Sequence, residues 1–345
     1  MFRNNQARFF VDTTSEARVA TAGYGMGCAV GDVDNDGFPD LYVTNVGPNV
    51  LYRNNGDGTF SDITHEAGVG CSLWSTSCAF ADLDRDGDLD LYVCNYVTVD
   101  PKIKCIDPST KKPKYCGPDY YSAQKDVLYR NDGDGSFSDW SSQSGIGLVN
   151  GKGLGVVIAD LKNDGWPDIF VANDLQPNFL FDNCGRLPFA EVAGTAGVAV
   201  NGDGIREANM GIACGDLSDS GLQDLYVTHY YMEHDTLFRN LGEHGFLDST
   251  HMAGWPYRPV PCSVGAPCSA TTISTAAWIS SSPPATSTIC LKPACPTPCG
   301  LNCITMRARW CFASTVKVQG PIFVTSGSAG ALPRETSIKM ATLTS

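Results

Sequence analysis

ADLDRDGDLDLYV, residues 81–93, places aspartates at alternate positions, turns on Gly87, adds Asp90 and runs directly into an aromatic and β-branched segment. Three other stretches keep this order: GDVDNDGFPDLYV from Gly31, ADLKNDGWPDIFV from Ala159 and GDLSDSGLQDLYV from Gly215. A phrase that returns at intervals of roughly 50 to 80 residues is the mark of a stacked or radial repeat protein. The fold of this chain is therefore read from the repeat outward.

Carboxylates at loop positions 1, 3 and 5 converge when the chain turns sharply, and Gly at position 6 supplies the left-handed backbone that bulkier residues resist. Hard oxygen donors of this kind select Ca²⁺. In the first loop the assigned ligands are Asp32, Asp34, Asp36, the Phe38 carbonyl and Asp40; in the second they are Asp82, Asp84, Asp86, the Asp88 carbonyl and Asp90. An EF-hand opens in the same way but closes on Glu at position 12 and continues into a helix. Here the closure is Asp at position 9, and DLYVTN, DLYVCN, DIFVAN and DLYVTH that follow are strand-type runs. The third loop carries Lys162 at position 3, leaving Asp160, Asp164 and Asp168, with the Lys amine expected to stand in for the ion. The fourth keeps Asp216 and Asp224 around Ser218 and Ser220, which predicts weak or no metal binding.

A second phrase follows each loop: LYRNNGDGTFSDIT from Leu51, LYRNDGDGSFSDWS from Leu128, LFDNCGRLPFAEVA from Leu180 and LFRNLGEHGFLDST from Leu237. Asn-Gly and Asp-Gly between apolar runs signal hairpins. One unit then reads strand, metal loop, strand, gap, strand, tight turn, strand, which is a propeller blade of four antiparallel strands. No long segment of helical period separates the repeats, so βαβ architectures lack their helices. A β-sandwich is the structural alternative, although its strands have no need to repeat this sequence.

The paired phrases resemble FG-GAP/VCBS repeats, as in the integrin α-subunit propeller, and in particular the cartilage acidic protein (ASPIC/UnbV-type) family. The closer resemblance rests on YCGPDYYSAQKDVLYRNDGDGSF from Tyr115, VANDLQPNFLF from Val171 and the spacing of the four loops, over about residues 1 to 255. It implies an exported, seven-bladed Ca²⁺ propeller associated with cell surface or matrix and often followed by a small C-terminal domain. The expected fold is all-β, with about four blades in frame and an insertion at 98–125. The start, MFRNNQARFFVDTTSEA, lacks the apolar stretch of a signal peptide and resembles the second phrase, so the chain is expected to begin inside a blade.

The net charge of −13 argues against nucleic acid as a partner, and no apolar stretch is long enough to span a membrane. After Asp248 the only acidic residue is Glu335, the blade phrases cease, and Ser, Thr, Pro, Ala and Cys crowd residues 256–345. A low-complexity stalk is one reading; the genetic code offers another. Trp278-Ile279 must be encoded TGG-ATH, and the shifted frame reads GAT, an aspartate. In that frame Ala270 to Ile279 permit Asp-Tyr-Asp-Leu-Asp-Gly-Arg-Leu-Asp, Leu301 to Ala308 permit Gln-Leu-Tyr-His-Asn-Glu-Gly, and Arg334 to Thr344 permit Gly-Asp-Phe-Asp-Gln-Asp-Gly-Asp-Val-Asp. A frameshift between about Gly254 and Val260 accounts for all three. It predicts a disordered, non-native tail, open sheet edges and poor solubility, and the coding DNA tests it directly.

Of the 15 cysteines, Cys105 and Cys116 flank the polar insertion and are expected to close it by a disulfide, as suits an exported protein. Cys28, Cys78 and Cys214 precede metal loops on apolar strands and read as buried thiols; Cys71, Cys94 and Cys184 have no assignable pairing. HYYMEH, with His229, Glu233 and His234, misses both zinc-protease spacings and reads as polar residues leaving a strand. GYGMG and GKGLG open no helix, and no GxSxG elbow appears. The expectation is a non-enzymatic Ca²⁺ module, extracellular, periplasmic or cell-surface, presenting loops to a protein or glycan. The alternative is the scaffold of a polysaccharide-acting lyase or hydrolase.

Overall fold

A loop that gathers carboxylates between two strands needs those strands to run in opposite directions. In the computed structural model each Asp-rich loop is the hairpin between the first two strands of a four-stranded antiparallel sheet. The structure describes residues 1–5, 9–230 and 233–252, with the backbone of three strands farther on. An N-terminal hairpin pairs β1 (Phe2–Asn5) with β2 (Phe9–Asp12). Blade 1 is β3 (Tyr24–Gly31), β4 (Asp40–Val46), β5 (Val50–Asn54) and β6 (Phe60–Asp62), followed by α1 (Thr64–Ala67). Blade 2 opens with β7 (Ser75–Ala81) and β8 (Asp90–Asn95). The insertion then contributes β9 (Val97–Thr98), β10 (Cys105–Ile106), β11 (Pro113–Lys114) and β12 (Ser122–Ala123), before β13 (Val127–Asn131), β14 (Phe137–Asp139) and α2 (Ser141–Ser144). Blade 3 is β15 (Gly153–Ala159), β16 (Asp168–Asn173), β17 (Phe179–Asp182) and β18 (Ala190–Glu191), followed by α3 (Ala193–Ala196). Blade 4 is β19 (Asn209–Gly215), β20 (Asp224–His229), β21 (Thr236–Asn240) and β22 (Phe246–Asp248).

Among the described residues the four blades stack face to face in an arc that does not close into a ring. Their first strands lie side by side, β3 against β7, β7 against β15 and β15 against β19. Each of these strands carries a register shift near its start, a bulge that sharpens its twist. Hydrophobic cores fill the spaces between blades. Ala29, Val33, Tyr42 and Leu51 of blade 1 meet Cys78, Leu91, Val93 and Tyr129 of blade 2, and the equivalent side chains fill the next two seams. The N-terminal hairpin imitates the outer half of a blade. Thr14 donates from N–H and hydroxyl to Asp12, as Thr64 does to Asp62, and Phe60 N–H bonds to Ala17 O as Phe189 N–H does to Ser144 O.

The far end of each second strand is stapled by one side chain. Asn49 Oδ1 accepts the Asn45 N–H at 2.8 Å, Asn178 does the same for Asn173, and Asp235 for His229. In blade 2 the staple is Asp126, which accepts from Asn95 N–H at 2.7 Å and from the Tyr92 hydroxyl at 2.8 Å. Burial pushes its pKa up to about 7. Because that value lies above the unfolded one, the folded state holds the extra proton between about pH 4 and 7, and stability falls as pH rises through that window. Asp126→Asn, with Asn49 as structural precedent, is expected to raise Tm at pH 8 by roughly 4–8 °C, about 2 kcal/mol, and to flatten the slope between pH 5 and 8. Asp90 and Asp168 leave a residual slope. Thermal melts at pH 5 and pH 8 measure both; an unchanged slope refutes the assignment.

Cys105 and Cys116 are joined by a disulfide across the insertion, which also receives Lys152 Nζ on the Pro118 carbonyl at 2.9 Å. Cys78 and Cys94 are buried thiols, pushed well up in pKa by desolvation. Farther along, β23 (Ser287–Leu291), β24 (Asn302–Met306) and β25 (Phe323–Thr325) form an antiparallel sheet in the order β24-β23-β25. The remainder of the expected out-of-frame tail, including the site of the shift, lies outside the described residues.

Candidate metal centre

The four loops share one backbone despite their different side chains. Position 4 is left-handed in each, at Asn35, Arg85, Asn163 and Asp219, and so is the glycine at position 6, at Gly37, Gly87, Gly165 and Gly221. Asn and Asp tolerate that region best; Arg85, the exception, lies 4.3 Å over the Trp166 ring. The first aspartate holds the turn by accepting backbone N–H groups: Asp32 from Asp36 and Gly37, Asp82 from Gly87, Asp160 from Asp164 and Gly165, and Asp216 from Ser220 and Gly221. Position 5 caps position 7, as Asp36 does for Phe38 and Asp164 for Trp166.

The aspartate at position 9 is buried in every blade. Asp40 accepts Val33 N–H at 2.9 Å and Asn54 N–H at 2.8 Å; Asp90, Asp168 and Asp224 repeat both bonds. These residues thus lock the loop to the third strand, a role the ligand pattern did not announce. Burial raises the Asp40 pKa, with the charges of Asp34 and Asp36 adding to it.

Carboxylate oxygens of Asp32, Asp34 and Asp40 come within 4.8 Å of one another, as do those of Asp82, Asp84 and Asp86. The two loops gather different sets of three: Asp36 stands outside the group in loop 1 and Asp90 outside the group in loop 2. Asp84 is pushed up in pKa by burial and by the neighbouring Asp86. Asp82 Oδ1 is buried without a hydrogen-bond partner, an all-oxygen setting that a divalent cation fits. Asp88 reaches across to loop 1, accepting Asn35 Nδ2 at 2.7 Å. In loop 3 the Lys162 amine pairs with Asp182 on β17 at 2.6 Å, and that bond, together with the charges of Asp168 and Asp164 of its own loop, raises its pKa. Loop 4 holds a Ser218 to Ser220 hydroxyl bond at 3.1 Å between Asp216 and Asp224.

The residue that the ligand pattern missed is the asparagine of the second phrase. Asn131 Nδ2 donates to Val33 O of loop 1 at 2.8 Å, Asn183 Nδ2 to Leu83 O of loop 2 at 2.8 Å, and Asn240 Nδ2 to Leu161 O of loop 3 at 2.7 Å. Each loop is thereby tied to the blade that follows it. The same Asn in all four copies of the phrase was the available signal. Beside loop 2, Leu83, Asp84, Trp140, Trp166 and Arg186 border a cleft of about 70 Å³, far below the roughly 300 Å³ at which small-molecule pockets begin. The side chain of His229, of the HYYMEH stretch, is buried, its pKa lowered by desolvation to about 4, and contacts Thr236 Oγ1 at 3.0 Å.

The FG-GAP-like repeat profile matches residues 32–93 and 117–171, two spans that each carry a loop or second phrase just described. Those two spans carry FG-GAP-like repeats. Over 107 residues the chain is 30% identical to human cartilage acidic protein 1, covering 31% of the chain and 15% of that protein. It is 29% identical to the Xenopus tropicalis protein over 108 residues, 31% of the chain and 16% of that protein. The match thus spans less than a fifth of these relatives. An Agrocybe aegerita lectin specific for non-reducing terminal N-acetylglucosamine aligns at TM-score 0.39 and 16% identity, over 74% of this chain and 62% of the lectin. A V. cholerae biofilm matrix protein aligns at TM-score 0.33 and 14% identity, over 65% and 30%.

Proposed function

We propose that the chain is a calcium-stabilised, non-enzymatic binding module of an exported protein, whose inter-strand loops meet a protein or glycan partner. The observation that carries the reading is the convergence of three carboxylates in each of loops 1 and 2. Asp32, Asp34 and Asp40 would hold one ion and Asp82, Asp84 and Asp86 another, with Asp36, Asp90 and the Phe38 and Asp88 carbonyls as the further donors expected from the loop pattern. A bound Ca²⁺ supplies positive charge that offsets the crowded aspartates. The chain supplies the shape, because the left-handed turn and the position 9 lock are present in all four loops. Loops 3 and 4, held by Lys162 with Asp182 and by paired serines, keep that shape by neutral or cationic substitutes. Among the described residues no helix is long and apolar enough to cross a membrane.

Calorimetric titration of the chain with Ca²⁺ is expected to show two weak sites, roughly 10⁻⁴ to 10⁻³ M as in extracellular modules. Asp34→Asn and Asp84→Asn should each remove one. At ten- to hundredfold excess over Kd each site stabilises by about 1.4–2.7 kcal/mol, so chelation should lower Tm measurably. An unchanged Tm on chelation contradicts the structural role. An activity screen on polysaccharides separates this reading from the scaffold of a lyase or hydrolase.

A further inference from the structure

The seam between blades 2 and 3 departs from the other two seams at four repeat positions, and the four meet in one place. Loop position 4 is Asn35 at the first seam and Asn163 at the third, but Arg85 here. Position 7 of the following blade's loop is Asp88 and Leu222 at those seams, but Trp166 here. After the turn glycine of the second phrase stand Asp134 and Glu243, but Arg186 here, a reversal of charge. The thirteenth residue of the preceding blade's phrase is Ile63 and Val192, but Trp140 here. Trp140, Trp166 and Arg186 line the cleft beside loop 2, and Arg85 Cζ lies 4.3 Å from the centre of the Trp166 ring. Trp166 sits so close to Gly185 that a β-carbon there would approach its ring to 2.5 Å. At the first seam the Asn35 amide is taken up by Asp88 at 2.7 Å. Arg85 and Arg186 have no carboxylate partner among the described residues. Asp84, the carboxylate of the lining, has Arg130 as a neighbouring charge, and Arg130 Cζ lies 5.3 Å from the Trp140 ring centre.

We propose that this cleft binds the carboxylate-bearing sugar of an acidic glycan, a uronic acid residue. The inference rests on the glycan half of the proposed function and names the class of glycan. The planar guanidinium fork matches a carboxylate, and one stacked on an indole keeps its N–H donors in the ring plane, open to a ligand. At about 70 Å³ the cleft admits a group of a few heavy atoms, since one water-sized group needs roughly 10–15 Å³. A carboxylate is such a group; the sugar ring that carries it stays outside, where its apolar C–H face can lie on an indole. The net charge of −13 repels an anionic polymer elsewhere on the chain, so the two unpaired guanidiniums select the place where it can dock. Neither Arg85, Arg186, Trp140 nor Trp166 is among the proposed metal ligands.

Calorimetric titration of the full chain, with Ca²⁺ present, compares a galacturonic acid trisaccharide with the same trisaccharide reduced to its neutral alcohol and with a short polyglutamate peptide. The uronate is expected to bind, more weakly as salt is raised, and at least about tenfold more tightly than either comparison ligand. Arg186→Ala and Arg85→Ala should each weaken it about tenfold or more, and Arg186→Lys less, because the charge stays and the fork is lost. Arg53→Ala, in blade 1, should change nothing. Circular dichroism and Ca²⁺ titration of each variant show that sheet and metal loops are intact, so a failure of the calcium reading is seen separately. Equal binding of the neutral trisaccharide overturns this inference and leaves the glycan reading standing. Equal or tighter binding of the peptide overturns it in favour of a protein partner. Absence of uronate binding, or binding that both alanine variants leave unchanged, overturns it outright.

Discussion

Asn183→Ala is expected to destabilise the protein by about 4 kcal/mol, lowering Tm by roughly 8–15 °C. The Asn183 side chain is fully buried and spends every polar group. Its amide donates to Leu83 O of blade 2 and to Pro167 O at 3.1 Å, and its carbonyl accepts the Gly185 N–H at 3.0 Å. Alanine takes these partners from two carbonyls and one N–H, and each orphan costs about 1–3 kcal/mol. Asn183→Asp keeps the size but loses both donors and sets a charge near the buried Asp168, so it should be at least as damaging. Thermal and urea unfolding measure the loss. A change under 1 kcal/mol in both variants would show that the blades are held by their apolar seams alone.

Gly155→Val should cost about 3 kcal/mol or more and loosen blade 4 selectively. Gly155 lies on the first strand of blade 3, and a β-carbon there would meet the Met210 carbonyl oxygen at 2.6 Å and the Ile212 side chain at 3.3 Å. The obstacle is backbone, which cannot rotate away, so β15 and β19 must separate. Gly27 occupies the same place against Thr76 O at 2.5 Å. Hydrogen exchange locates the effect: amides of β19 to β21 should lose protection while those of blade 1 keep theirs. Uniform loss across all blades, or none, would contradict the close-approach reading of GYGMG and GKGLG.

Much of the architecture was legible because repetition removes ambiguity. One DxDxDG loop belongs to several folds, but two of them and two altered copies, each leading into a strand and each followed by an Asn-Gly or Asp-Gly hairpin or its relic, require the same unit four times. The two carboxylate groups were legible in part, since alternate aspartates before a glycine bring Asp32 to Asp34 and Asp82 to Asp84 and Asp86. The Lys162 partner on β17, Asp182, was not legible because sequence spacing says which loop a side chain leaves and not which strand it reaches. The position 9 aspartate was read as a ligand, and its two backbone bonds were invisible until the third strand came beside it.

Local chemistry therefore determined, from the sequence by itself, the strand-loop-strand unit, its repetition, the turn glycines and the aspartates that face one another. These depend on residues within ten positions of each other, where backbone sterics and charge leave few options. Only the tertiary structure decided how the units join: that the phrase asparagine crosses to the preceding blade's loop, and that glycines of the first strands admit a neighbour's backbone. Those contacts link residues 50 to 100 positions apart, and their partners are backbone carbonyls, which every residue carries and no sequence distinguishes.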